Sequence, residues 1–146
     1  MGDRAPTHIT IGGNLPRSAL GELGCRAADY DLRVEWDGEP FDPAAIVAGG
    51  PLELYGTELN GGQVPLIDAF CIDHGLAFRR WSGGCLGAFL PEIVVFDRPG
   101  GLRDYTASED EYVLFAPSWI ASVTRLRDLK RAMARAEITI PPFVLV

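Results

Sequence analysis

The chain has 146 residues, of which 47% are hydrophobic and 23% are charged, a balance typical of folded soluble proteins. Its 20 acidic residues outnumber its 13 basic ones, and the net charge of −7 disfavours direct nucleic-acid binding, in which attraction to phosphate dominates. The longest central uncharged run, residues 81–91, is too short and too glycine-rich to cross a bilayer, and no apolar signal opens the chain. We therefore expect a cytoplasmic protein that does not contact membranes.

The length predicts a single domain over residues 1–146, with a core over about 7–116 and a C-terminal helix and apolar tail over 117–146. Three cysteines, an odd number, fit a reducing compartment better than a disulfide framework. Nucleotide-binding glycine motifs are missing from the sequence, and we expect no cofactor.

The first half of the chain is predicted to alternate strands with helices. Alternating apolar residues predict strands at residues 8–11, 32–36 and 52–55. Asn14 is a candidate cap for a helix over 15–28, and Asp42 is a candidate cap for a short helix over 43–48. The side chains of the second strand that are expected to face inward are Leu32, Val34 and Trp36.

The middle of the chain carries the clearest helix signal. Pro65 suits a first helical turn, and Gly75 suits the left-handed residue that ends a helix. The residues that share one side of this helix, 65–74, are Leu66, Ile67, Phe70, Cys71 and His74. Strands are predicted next at residues 76–81 and 92–97, and the side chains on one face of the first are Leu76, Phe78 and Arg80.

The C-terminal part is predicted to contain strands at 103–107 and 112–116, followed by a helix over 118–136. The tail, residues 138–146, is very apolar and is expected to pack on its own domain or across a homodimer. The element order as a whole favours an α+β two-layer sandwich, with a ferredoxin-like β-α-β/β-α-β core and an added C-terminal helix.

Charge is distributed unevenly along the sequence. Residues 29–73 contain ten acidic residues against one basic residue, whereas residues 125–135 contain five basic residues against one acidic residue. This pattern predicts an acidic side, which could steer a basic protein towards it, and a basic helix. The acidic residues expected to meet a partner are Glu35, Asp37, Glu39, Asp42, Glu53 and Glu58.

A metal site would have to be built from Cys71, His74 and Cys85, with Cys25 as a fourth ligand. Cys71 and His74 lie three residues apart and share a helical face. Structural zinc normally uses two such closely spaced pairs, and here there is only one, while Cys71 falls on the apolar stripe. We therefore expect no metal.

Two features are candidates for catalysis. Cys85 lies in a glycine-rich segment that could expose a nucleophilic thiol, and the bases available to it are His8 and His74. The sequence His8-Ile9-Thr10 resembles the H-x-[ST] motif of 2H phosphoesterases, a family that uses two such motifs. His74 is followed by Gly75 and so departs from that pattern, which leaves the second histidine of the family without a counterpart.

The leading hypothesis is a non-enzymatic, acidic module that binds a basic, nucleic-acid-handling protein. In size and charge the chain is similar to the small acidic inhibitors of phages and mobile elements, anti-CRISPR proteins among them. One alternative is a small hydrolase or phosphoesterase that uses Cys85 or His8 together with His74. Another is a scaffold protein that self-associates through the tail.

Overall fold

A computed structural model describes residues 2–146 and shows an α+β protein. The strands are β1 Arg4–Leu15, β2 Leu52–Asn60, β3 Ala77–Ser82, β4 Glu92–Asp97, β5 Gly101–Thr106 and β6 Phe143–Leu145. The helices are α1 Leu20–Asp29, α2 Pro65–His74, α3 Pro117–Ser122 and α4 Leu126–Ala136. Within residues 2–146, no helix combines the length and the apolar character that a membrane span requires.

The sheet has the strand order β2-β1-β3-β4-β5, and all neighbours in this order are antiparallel. β6 joins it by pairing in parallel with the end of β1. The predicted ferredoxin-like arrangement is not confirmed by this order, because a β-α-β unit would make β1 and β2 parallel. After α1 the chain instead runs through a long irregular segment and returns antiparallel to β1.

The main core lies between one face of the sheet and the helices α1 and α2. Ile9 and Ile11 of β1 pair across the sheet with residues whose side chains share this face, such as Leu54 and Phe78. All four side chains are fully buried, because successive strand residues alternate between faces and these occupy the helix side. Leu23 of α1 belongs to the same core.

α2 confirms the predicted central helix, since Pro65 lies in its first turn and Gly75 ends it in a left-handed conformation with φ 67°. Ile67, Phe70 and Cys71 are buried as expected. Leu66 is exposed, so the buried stripe is narrower than the sequence pattern indicated. α1 begins later than predicted, because β1 extends through Leu15 and takes Asn14 into the sheet.

The prediction of a strand over 32–36 is wrong. Asp31 and Asp37 adopt left-handed backbone conformations, with φ 51° and 56°, and the intervening chain forms a tight turn. Arg33 forms isolated bridges to Pro40 and to Tyr55 instead of a continuous ladder. The turn directs two predicted core side chains into solvent, and these are Val34 and Trp36.

The predicted short helix over 43–48 is a single 3₁₀ turn, Pro43–Ala45. Asp42 does cap it, because its Oδ1 accepts a hydrogen bond of 2.9 Å from the Ala44 backbone N–H.

The C-terminal part covers the other face of the sheet. Residues 112–116 are not a strand, since only Val113 forms a bridge, to Ala107. The predicted single helix is two helices, α3 and α4, because the intervening backbone is extended at Val123 and Arg125. Trp81, Ile93, Val95 and Ala107 form a second, smaller core under this layer.

The apolar tail packs on its own chain. β6 pairs with residues 13–15 of β1, and the side chain of Phe143 is buried in the main core. Val144 and Val146 remain exposed. The first of the two packing alternatives that the sequence left open is therefore the one seen for this segment.

Candidate functional site: a histidine between two carboxylates

A polar and aromatic cluster occupies the sheet face opposite α1 and α2, at the β1–β2 end. His8 is directed to this face because it alternates with the buried Ile9, and its cross-strand neighbour on β2 is Tyr55. The two rings stack with their centroids 4.3 Å apart and their planes 10° apart. Trp36, presented by the turn after α1, lies 4.9 Å from the Tyr55 ring.

Both ring nitrogens of His8 contact carboxylates. Nδ1 lies 2.6 Å from Oε1 of Glu111, and Nε2 lies 3.3 Å from Oε1 of Glu53. The His8 side chain is only 15% exposed, whereas the two carboxylates are 30% and 49% exposed. Arg79 of β3 holds the Glu111 segment against the sheet by donating a hydrogen bond of 2.6 Å to the Glu111 carbonyl oxygen.

The electrostatics of the cluster follow from these contacts. The hydrogen bond from His8 lowers the pKa of Glu111, against the effect of burial, and the charges of His8 and Arg79 lower it further. Burial raises the pKa of Tyr55, and the negative charges of Glu53, Glu111 and Glu35 raise it as well. Three acidic side chains therefore lie close enough to Tyr55 to act on its pKa.

All six acidic residues predicted to meet a partner are exposed. Glu35 and Glu53 approach Tyr55 closely enough to act on its pKa. Asp42 and Glu53 line a groove of about 420 Å³ beside β2. The others lie in the turn after α1 or towards the end of β2, and these are Asp37, Glu39 and Glu58.

We refer to His8, Glu35, Trp36, Glu53 and Tyr55 as the acid–aromatic surface. Trp36 is its apolar element and is 42% exposed, which is high for the largest aromatic side chain. Sequence reasoning named the acids of this surface and His8, but it placed Trp36 in the core. It missed Tyr55 and Glu111 as neighbours of His8, because no local pattern links residues so far apart in the chain.

The residues considered for a metal are not brought together. Cys71 is buried in the main core, where burial, followed by the charge of Asp68, raises the pKa of its thiol well above the usual range. Cys25 is exposed on α1, and Cys85 lies in the loop between β3 and β4. Within residues 2–146, no three His, Cys, Asp or Glu side chains form a group that could hold a metal ion.

The residues considered for catalysis are also dispersed. His74 ends α2 on the helix side of the sheet, where its ring packs 4.3 Å from that of Phe70. His8 projects from the opposite face. Cys85 makes backbone hydrogen bonds with Phe89 inside its own loop.

A second polar cluster lies on the helix side of the sheet around Arg80, whose side chain is 3% exposed. Its guanidinium donates to both carboxylate oxygens of Asp68 at 2.9–3.1 Å and reaches Glu92 at 3.3 Å. Burial raises the pKa of Asp68, and the charge and hydrogen bonds of Arg80 oppose that effect. The sequence pattern correctly placed Arg80 on the same face of its strand as the buried Phe78, and its partners explain why a cation is tolerated there.

No family model matches the chain, and no curated protein and no solved structure matches it significantly.

Proposed function

We propose that this chain is a non-enzymatic module that binds a basic protein segment through the acid–aromatic surface. The observation that carries the proposal is the exposed Trp36, which lies beside Tyr55 and near the acids that act on Tyr55, Glu35 and Glu53. Tryptophan is the aromatic side chain that attracts cations most strongly, and neighbouring carboxylates add charge complementarity. Arginine-rich segments offer the matching chemistry, because guanidinium both stacks on aromatic rings and pairs with carboxylates.

Overall charge supports the same class of partner. The net charge of −7 speeds encounters with a positively charged protein, and acids at the edge of a contact affect association rate more than affinity. We assign this steering role to Asp37, Glu39, Asp42 and Glu58. Proteins that handle nucleic acids are a common source of basic surfaces. A cytoplasmic inhibitor of such a protein, of the anti-CRISPR type in size and charge, remains our proposal for the biological role.

The test is fluorescence anisotropy with a fluorescein-labelled peptide of alternating arginine and alanine, with a glutamate–alanine peptide as the negative probe. Trp36→Ala should weaken binding about tenfold, as expected for an aromatic anchor. Glu35→Gln combined with Glu53→Gln should weaken it by a similar factor and reduce its dependence on salt. Glu22→Gln removes an exposed acid from α1, on the helix side of the sheet, and should change affinity less than twofold.

Two results would contradict the proposal. One is that the arginine peptide fails to bind even at low ionic strength. The other is that it binds the Trp36 variant, the acid double variant and the Glu22 control equally well. The second outcome would mean that the attraction comes from the net charge of the molecule and not from this surface.

A small hydrolase is the second candidate, and the specific observation in its favour is the 2.6 Å contact between His8 and Glu111. A carboxylate at one imidazole nitrogen is how general bases are oriented, and the other nitrogen would then take the proton. Here that nitrogen faces Glu53, which would have to move aside for a substrate. Turnover of bis(p-nitrophenyl) phosphate that is lost in His8→Gln would support this candidate, whereas no turnover by the unaltered protein would count against it.

A further inference from the structure

His8 is held in a geometry that satisfies only its protonated form. Ionised carboxylates can only accept hydrogen bonds, and a neutral imidazole carries a single N–H. The two contacts of His8, to Glu111 and to Glu53, can therefore both be hydrogen bonds only when both ring nitrogens carry protons. This requirement follows from the positions of the atoms alone.

Three parts of the fold meet at this ring. β2 contributes one carboxylate and the stacked phenol, the segment after β5 contributes the other carboxylate, and β3 contributes a guanidinium that fixes this segment. The titratable and charged groups around His8 are Glu53, Tyr55, Glu111 and Arg79, with Glu35 acting on Tyr55. The ring is thus exposed to a surplus of negative charge.

We propose that protonation of His8 controls the acid–aromatic surface, so that a basic segment binds more weakly when His8 is charged. This inference rests on the proposed function. The side chain whose interaction changes with this proton is Glu53. With His8 charged, the carboxylate of Glu53 is engaged by Nε2 and its charge is offset, and with His8 neutral the surface beside Trp36 gains one net negative charge.

The two carboxylates have different parts in this control. The contact with Glu111 is the shorter one, and Glu111 is the less exposed acid, so a neutral ring keeps its remaining proton on Nδ1. Nε2 then presents a lone pair to Glu53, which is 49% exposed and free to turn towards a partner. Glu111 is therefore a permanent anchor, whereas Glu53 is released when His8 loses its proton.

Proton binding and peptide binding are thermodynamically linked, and this linkage gives the direction in which pH changes the affinity. If a basic segment favours the neutral ring, binding it must expel the proton from His8, and lowering the pH must weaken binding. One unit of charge at a partly exposed site changes affinity by roughly three- to fivefold. Histidine is the side chain whose ordinary titration falls in the range of about pH 5 to 8, and arginine in the probe does not titrate there.

The experiment measures the affinity of the full chain for the labelled arginine–alanine peptide at about pH 5.5 and about pH 8, at constant ionic strength. Affinity should be roughly three- to fivefold higher at the upper pH. His8→Gln should abolish this difference, and Glu53→Gln should reduce it, because the charge of the ring still changes but no carboxylate is released. His74→Gln is the matched control, since it removes the other histidine of the chain and should leave the difference intact.

Nitrogen NMR of the His8 ring in the free protein provides a readout that does not depend on any partner. In the charged form of His8 both ring nitrogens should carry protons, and in the neutral form only Nδ1 should. Two results would overturn this inference while leaving the proposed function intact. One is peptide binding to the unaltered protein that does not change with pH, and the other is a neutral ring protonated on Nε2. Absence of peptide binding at both pH values would overturn both.

Discussion

Replacing Arg80 by methionine should destabilise the fold severely, because it leaves a carboxylate without its cation in the interior. The Arg80 side chain is 3% exposed and that of Asp68 is 18% exposed, and they are joined by contacts of 2.9–3.1 Å. Methionine matches much of the length and apolar character of the arginine stem. The substitution therefore removes mainly the charge and its hydrogen bonds.

The expected loss is about 3–5 kcal/mol in the free energy of unfolding, the usual cost of removing one partner of a buried ion pair. With a urea dependence of about 2 kcal/mol per molar, the unfolding midpoint should fall by roughly 2 M. Replacing Asp68 by leucine in the same chain removes the stranded charge. The double variant should therefore lie within about 1 kcal/mol of the unaltered protein.

The loss in the free energy of unfolding of the Arg80 variant should also depend on pH. Burial already raises the pKa of Asp68 against the pull of Arg80, and removal of Arg80 raises that pKa further. A carboxyl group whose pKa is higher in the folded than in the unfolded state destabilises the fold when it is ionised. This penalty is full above the folded pKa and diminishes as the pH falls through that pKa, so the loss should be larger at about pH 8 than at about pH 5.

Urea unfolding, followed by tryptophan fluorescence at the two pH values, measures these differences. Arg131→Met, an exposed substitution on α4, is the control and should change stability by less than about 0.5 kcal/mol. A loss below about 1 kcal/mol for the Arg80 variant would refute the reasoning. So would a loss that is the same at both pH values, because it would then arise from packing and not from charge.

Three further outcomes are expected. Exposed Cys25 should be alkylated by iodoacetamide at least about tenfold faster than buried Cys71 in the folded protein, and equal rates by mass spectrometry would contradict the core position of Cys71. His8 lowers the pKa of Glu111. The ionised carboxylate therefore stabilises the fold at pH values above 4.5, the pKa of this group in the unfolded chain, and this contribution disappears as the pH falls through the folded pKa. Urea unfolding of Glu111→Gln should therefore show a loss of about 1 kcal/mol near pH 7 that diminishes as the pH falls through the folded pKa, and a constant loss would rule out the charged contact. Phe143→Ala should cost about 3 kcal/mol and lower the thermal midpoint by roughly 6–12 °C, and an unchanged midpoint would show that β6 does not stabilise the fold.

Local signals account for what could be predicted of the fold. α2 was found with its correct start and end because Pro65 and Gly75 act through backbone conformation within one turn of chain. β1 was predicted at residues 8–11 only. Its full length, Arg4–Leu15, depends on partners that lie far away in the sequence, and no pattern within the strand itself reports them.

The turn after α1 shows why the alternation of apolar residues led to a wrong prediction. Leu32, Val34 and Trp36 alternate as a half-buried strand would, but Asp31 and Asp37 take left-handed conformations at either end and close the segment into a turn. Only Leu32 reaches the core. Alternation reports which side chains share a face of an extended chain, and it has no such meaning once the chain bends.

The candidate site was predictable only in its parts. Glu53 was identified by charge and His8 by a three-residue motif, but the contact of His8 with Glu111 joins residues 103 positions apart. Such a pairing depends on how the segment after β5 folds over the sheet. Nothing in the composition of residues 108–112 predicts that one of their acids meets an imidazole from the first strand.

The position of β1 between its neighbours has a consequence for how the protein is made. On the ribosome this strand emerges before β2, β3 and β6, and its last partner is separated from it by well over a hundred residues of chain. Its apolar residues can therefore be covered only as these partners are translated, which favours slow folding of the new chain.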